Sequence, residues 1–153
     1  NAWAMANGCI RVYAGLMDKM TDAEVQGVIG HEMGHVELGH SRKSMQTAYT
    51  VSAARELAGA TGNAAVTALS ASQAGDLAEK FINAQYSQSQ ESEADVYAYD
   101  LLKSKKLNTG ALVSAFNKLA AMDGGASSSM MSSHPASSDR AAKIQARIDA
   151  DKK

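Results

Sequence analysis

Apolar and polar side chains alternate over residues 9 to 14, Cys-Ile-Arg-Val-Tyr-Ala, with Asn7-Gly8 before them and Gly15 after. This period of two predicts a strand entered from a turn, and Asn1 to Met5 is read as its partner strand. From Thr21 onward the period becomes helical. Thr21 offers an N-cap, Glu24 three residues later completes a capping box, Asp22 lies in the first turn, and Val25, Val28, Ile29 and Met33 follow, predicting a helix from about 22 to 40. The glycines within it each weaken it by roughly 1 kcal/mol relative to Ala, so packing or a ligand has to hold it.

Further on, Ser44 to about Asn83 is rich in Ala, Ser and Thr, and the break at Gly59 to Asn63 suggests two helices joined by a turn. A helix is expected from about Asp76 or later through Lys103, carrying Leu77, Phe81, Tyr86, Ala94, Tyr97, Leu101 and Leu102 and ending in a basic run suited to a helix C-terminus. Asn108 or Thr109 can cap the next helix, whose stripe is Leu112, Phe116 and Leu119 or Ala120 and which ends near Gly124-Gly125. Gly124 to Ser133 is too small and polar to pack and reads as a loop. Ser138-Asp139 then opens a closing amphipathic helix with Ala142, Ile144 and Ile148. The sum is an α+β chain, mainly α-helical, with a small N-terminal β element, and 1–153 is read as a single domain.

Composition narrows the function classes. Hydrophobic residues at 45% and charged residues at 20% describe a globular protein. A net charge of −1 gives neither a nucleic-acid footprint nor a polybasic membrane patch, so no nucleic-acid partner is expected. The longest uncharged stretch, Leu57 to Gly75, is interrupted by polar residues, so no membrane span is expected. Cys9 is the only cysteine, which excludes an internal disulfide and a cysteine-based zinc cluster; it is read as a buried small residue of the strand. The opening Asn-Ala-Trp-Ala lacks an initiator Met and a signal-like run, and is read as the start of a trimmed piece whose signal or lipid anchor would lie upstream.

Within the first predicted helix stands His31-Glu32-Met33-Gly34-His35, an H-E-x-x-H pattern. Helical residues four apart share a face, so both imidazoles can reach one ion, while Glu32 is rotated by about 100 degrees toward the ion's open side as a base. With 4 His and 7 Glu in 153 residues, random order produces the pattern in roughly half a percent of cases, which weighs against two unrelated histidines on an amphipathic face. Glu91 and Asp95, at i and i+4 on the later helix, share a face in the same way. Alone they would pass for a solvated acidic face. Beside the histidines, Glu91 completes a His-His-Glu zinc site with water in the fourth position, and Asp95 accepts the free ring N–H of His31. Glu93 is second choice for the ligand. His40 lies five residues past His35, about 140 degrees around a continuous helix, and is read as a helix-end or surface histidine.

These motifs, with Asn1-Ala2-Trp3-Ala4, Ile10 to Leu16, and Ser133-His134-Pro135 followed by Arg140, closely resemble the zincin-like gluzincin family that contains HtpX, the mitochondrial OMA-type protease and the CAAX prenyl protease. The nearest likeness is to bacterial envelope members, often lipoproteins of the outer membrane. The resemblance implies a gluzincin domain holding one Zn2+ per chain, with Glu91 as third ligand and Asp95 behind the site. It further implies His134 as the group that stabilises the oxyanion, Arg140 near that site, and Asn1 on a strand meeting the substrate backbone.

The function expected is a zinc metalloendopeptidase in which Glu32 moves the proton and His134 supports the oxyanion. Extended polypeptide would pair with the strand residues Ala2, Ile10 and Val12, favouring unfolded or misfolded chains and implying protein quality control on the periplasmic side of the envelope. The rival from another class is a metal-binding chaperone or assembly factor with little hydrolysis. A third reading, a closed structural zinc site, requires four protein ligands.

Overall fold

A computed structural model of the chain describes residues 1–59, 86–122, 134 and 138–152. Two short strands, β1 (Ala2–Ala4) and β2 (Ile10–Val12), pair antiparallel with Ala2 opposite Val12, Trp3 opposite Arg11 and Ala4 opposite Ile10. A turn at Met5 to Cys9 joins them, with Gly8 at a φ of 88°. Cys9 sits in that turn and is exposed, because the strand begins one residue later than the alternation suggests. The expected strand also stops short of Ala14, which instead opens the single helical turn α1 (Ala14–Met17).

α2 (Asp22–Glu37) begins at the predicted capping box: the Thr21 side chain accepts from the Glu24 backbone N–H, and the Glu24 side chain from the Thr21 N–H. It ends earlier than expected. Gly39 adopts a φ of +73°, the left-handed geometry that terminates a helix, and α3 (His40–Gly59) starts at the next residue. The two helices therefore meet at an elbow where the periodicity suggested one continuous rod. The break near Gly59 to Asn63, the second small-residue helix and the 124–133 loop lie outside the described residues.

α4 (Gln88–Ser104) starts at Ser87, whose side chain accepts from the Gln90 N–H while Gln90 answers on the Ser87 N–H, a second capping box. α5 (Gly110–Met122) is preceded by Asn108, whose side chain accepts from the Ala111 N–H. α6 (Ser138–Ala150) closes the fold. The core joins Val28 of α2, Ala98 and Leu102 of α4, Leu112, Phe116 and Leu119 of α5, and Ile144 and Ile148 of α6.

The packing of α2 on α4 positions the chemistry. A Cβ added at Gly34 would lie 3.0 Å from both the Ala94 Cα and its carbonyl oxygen, so only glycine allows the backbones to come this close. α2 is further tied to α5 by Glu24, buried, which accepts from Lys118 at 2.7 Å and from the Ser114 hydroxyl. Those bonds, with the Thr21 N–H, hold the Glu24 carboxyl down at about 2.

Candidate metal centre and active site

The close crossing of α2 and α4 sets the imidazoles of His31 and His35 against the carboxylate of Glu91. His31 and His35 are wholly buried and Glu91 is 1% exposed. The two Nε2 atoms lie 3.0 Å apart, His35 Nε2 is 3.1 Å from Glu91 Oε1, and His31 Nε2 is 3.3 Å from Glu91 Oε2. His134 comes from the far side of the sequence to join them, its Nδ1 3.0 Å from Glu91 Oε1 and 3.2 Å from His31 Nε2. One ligand atom from each of these four residues lies within 4.8 Å of the others.

Behind His31, Asp95 Oδ1 stands 2.8 Å from Nδ1. A carboxylate only accepts, so His31 Nδ1 carries a proton, and Nε2 is the nitrogen left facing inward to take a cation. Arg140 grips Asp95 through Nε at 2.7 Å and Nη2 at 2.6 Å, and its Nη1 reaches 2.6 Å from Glu91 Oε2. The guanidinium also lies over the Phe116 ring, 4.4 Å from its centre. Arg140 thus clamps the two carboxylates that α4 contributes.

Behind His35 the arrangement differs. His40 Nδ1 is 3.0 Å from His35 Nδ1, and His40 Nε2 is 3.2 Å from Glu93 Oε2. Tyr86 stacks on the His35 ring at 3.8 Å and meets the Ser41 hydroxyl at 3.1 Å. His40 is buried, in contrast to the helix-end or surface histidine expected, because the elbow at Gly39 turns it back toward α2. The signal was present in Leu38-Gly39-His40, a glycine just beyond the last periodic residue. Tyr86, expected as an apolar position of the later helix, stands before its Ser87 cap and packs on His35 instead.

The electrostatics favour a cation. Burial works against a charged His31, but the hydrogen bonds it donates to the Asp95 and Glu91 carboxylates outweigh it and push its pKa up to about 9. For His35, burial prevails and lowers the value to about 3. Burial raises the Glu91 carboxyl, yet hydrogen bonds from His134 and His31 hold it far below the usual range. Asp95 is likewise held low against burial by Arg140 and His31. Glu32 is completely buried, and neither carboxylate oxygen has a hydrogen-bond partner among the described residues; His134 Nε2 lies 3.3 Å from its Oε1. The carboxylates of Glu32, Glu91 and Asp95 outnumber the two cationic groups beside them, Arg140 and the raised His31, and leave a surplus of negative charge in a closed space. Converging imidazole nitrogens and carboxylate oxygens, a buried Glu32 carboxylate without a hydrogen bond among the described residues and that charge fit a divalent cation held by nitrogen and oxygen donors.

The other expected site residues lie at the sheet. Ala2 is wholly buried, and Ile10 and Val12 are half-buried. Hydrogen bonds from Tyr13 N to Asn1 O and from Met5 N to Cys9 O fix the alternation of the ladder. In that register the main-chain groups of Ala2 and Ala4 turn to one edge, and those of Ile10 and Val12 to the other. Asn1 Oδ1 is buried with no hydrogen-bond partner among the described residues.

Comparison with known proteins agrees with this architecture. The profile of Peptidase family M48 matches residues 1–148. The chain is 55% identical over 148 residues to metalloprotease YcaL of Escherichia coli (strain K12), covering 97% of this chain and 58% of that protein. It is 55% identical over 151 residues to metalloprotease LoiP of the same organism, covering 99% of this chain and 60% of the relative. The chain thus spans about three fifths of the length of these curated relatives. No solved structure is a significant match. The mainly helical fold with its small N-terminal sheet is the gluzincin class expected from the sequence.

Proposed function

Since the chain belongs to peptidase family M48, we propose that it is a zinc-dependent endopeptidase in which His31, His35 and Glu91 hold one Zn2+ and Glu32 is the general base. The observation that carries this reading is the convergence of His31, His35 and Glu91 ligand atoms from α2 and α4 on one point, with the buried Glu32 carboxylate beside it. When bound, zinc supplies a Lewis acid that polarises a peptide carbonyl and brings the pKa of a water near 7.

The protein's own groups do the rest. Glu32 takes the proton of the attacking water and passes it to the leaving amine; with no hydrogen bond to break, its oxygens are ready acceptors. His134, whose two ring nitrogens face Glu91 and Glu32, donates to the oxyanion of the tetrahedral intermediate. Asp95 fixes the His31 tautomer and Arg140 keeps Asp95 and Glu91 in register. The peptide bond is hydrolysed without an acyl-enzyme.

The outward main-chain groups of Ile10 and Val12, on the half-exposed β2 edge, support recognition of an extended segment by strand addition. Recognition through backbone selects unfolded or misfolded chains over a sequence motif. Taken with the resemblance to envelope members, the substrates we assign are damaged proteins on the periplasmic side of the bacterial envelope. No described helix is long and apolar enough to cross a membrane.

The test is cleavage of an unstructured protein by zinc-loaded wild type and Glu32→Gln at equal zinc content. The expected loss in kcat/KM for Glu32→Gln is about 10²- to 10⁴-fold, the usual weight of a general base. Equal cleavage by both would remove Glu32 from the mechanism. Zinc-loaded wild type that cleaves nothing but prevents aggregation of the same protein would favour the chaperone reading.

A further inference from the structure

A ligating imidazole works only if its inward nitrogen carries the lone pair, and the partner of its outer nitrogen decides this. For His35 that partner is His40 Nδ1 at 3.0 Å, and His40 Nε2 in turn lies 3.2 Å from Glu93 Oε2. Glu93 Oε1 already accepts from the Ser89 hydroxyl at 2.9 Å. The proton between His40 and Glu93 must sit on His40 Nε2, since a carboxylate has none to give. A neutral imidazole has one N–H, so His40 Nδ1 holds a lone pair and accepts from His35 Nδ1–H. His35 Nε2 is then left with its lone pair facing Glu91 Oε1 and His31 Nε2. The reverse arrangement would set the His40 Nε2 lone pair against the Glu93 carboxylate and a proton on His35 Nε2, where a cation has to bind.

We propose that His40 and Glu93 form a relay that positions His35 as a metal ligand, with His40 transmitting to a buried ring the orienting effect of an acid at the surface. The inference rests on the reading of His35 as a zinc ligand. The elbow supplies His40: nothing lies within 4 Å of a Cβ built on Gly39, so this glycine is needed for its φ of +73° and not for space. The His40 side chain is 7% exposed and that of Glu93 54% exposed, so the relay runs from the buried centre to solvent. Both are positioning residues, acting through His35.

The experiment measures zinc release from the full zinc-loaded chain to an excess of chelator, with circular dichroism recorded for each variant. His40→Leu fills the space but accepts no hydrogen bond; His40→Asn places Oδ1 where Nδ1 stood. Release should be about 10- to 100-fold faster for His40→Leu, the usual weight of a metal ligand's orienting partner, and should return most of the way to wild type for His40→Asn. Glu93→Ala should speed release several-fold in the wild-type background and have no further effect beside His40→Leu. Folded His40→Leu releasing zinc at the wild-type rate, or Leu and Asn variants behaving alike, would overturn the relay. Should His40→Leu fail to fold, Glu93→Ala decides: faster release supports the relay and an unchanged rate overturns it. Wild type that binds no zinc would overturn the relay and the proposed function together, whereas normal zinc binding with unaffected variants would overturn the relay alone.

Discussion

His31 and His35 stand four residues apart on α2, yet they are held in opposite ways. His31 leans directly on a carboxylate, Asp95, which is buried and gripped at two points by Arg140. His35 leans on another imidazole, His40, and meets an acid only beyond it, at the exposed Glu93. Burial opposes charge on both imidazoles, but the nearby carboxylates raise His31 to about 9, whereas His35 falls to about 3. One side of the centre therefore concentrates charge in a dry network whose parts stand or fall together. The other is a ring-to-ring contact whose terminal acid is screened by water.

That contrast is broken most severely at Asp95. Asp95→Ala leaves the buried Arg140 without its main partner and removes the acceptor that fixes His31, so a stability loss of about 3–5 kcal/mol is expected from removing one member of a buried pair. Denaturant melts of the zinc-free protein check this, and a loss no larger than that of Glu93→Ala would abolish the distinction between the two sides. Gly34→Ala comes next. Its new methyl would meet the Ala94 backbone, pushing α2 from α4 at a cost of about 1–3 kcal/mol. Because both sides span that crossing, zinc release should accelerate through both; an unchanged melt and an unchanged release rate would show that the crossing yields without disturbing the ligands.

A smaller effect separates the metal centre from the scaffold. Glu24 joins α2 to α5 outside both sides of the centre, and its carboxyl lies near 2, below the unperturbed value of 4.5. A depressed carboxyl stabilises the fold fully above its unfolded pKa and loses that contribution as the pH drops from about 4.5 toward 2. Zinc-free Glu24→Gln should therefore be less stable than wild type at pH 7, with the gap narrowing across that interval. Thermal melts at stepped pH would show it, and parallel curves for the two proteins would contradict it.

Sequence alone carried the chemistry further than the path of the chain. The Thr21–Glu24 capping box, the His31/His35 spacing and the Glu91/Asp95 spacing are local patterns, and local patterns survive without knowledge of the tertiary fold. His40 is buried and not at the surface because an angle of about 140 degrees from His35 holds only along an unbroken helix, and Gly39 breaks it. α4 starts later than residue 76, where Ser87-x-x-Gln90 spells a capping box. Ala14 opens a helical turn and does not end the strand, because β periodicity continues smoothly into that turn. Tyr86 stacking on His35, the Arg140 clamp on two acids and the small gap at Gly34 depend on segments far apart in sequence, which periodicity does not register.

The central claim is that two imidazoles of α2 and one carboxylate of α4 hold a single zinc ion. Elemental analysis of the purified chain beside Glu91→Ala, both shown folded by circular dichroism, tests it most directly. One zinc per wild-type chain and almost none in Glu91→Ala is the predicted result, and full retention of zinc by Glu91→Ala would contradict it.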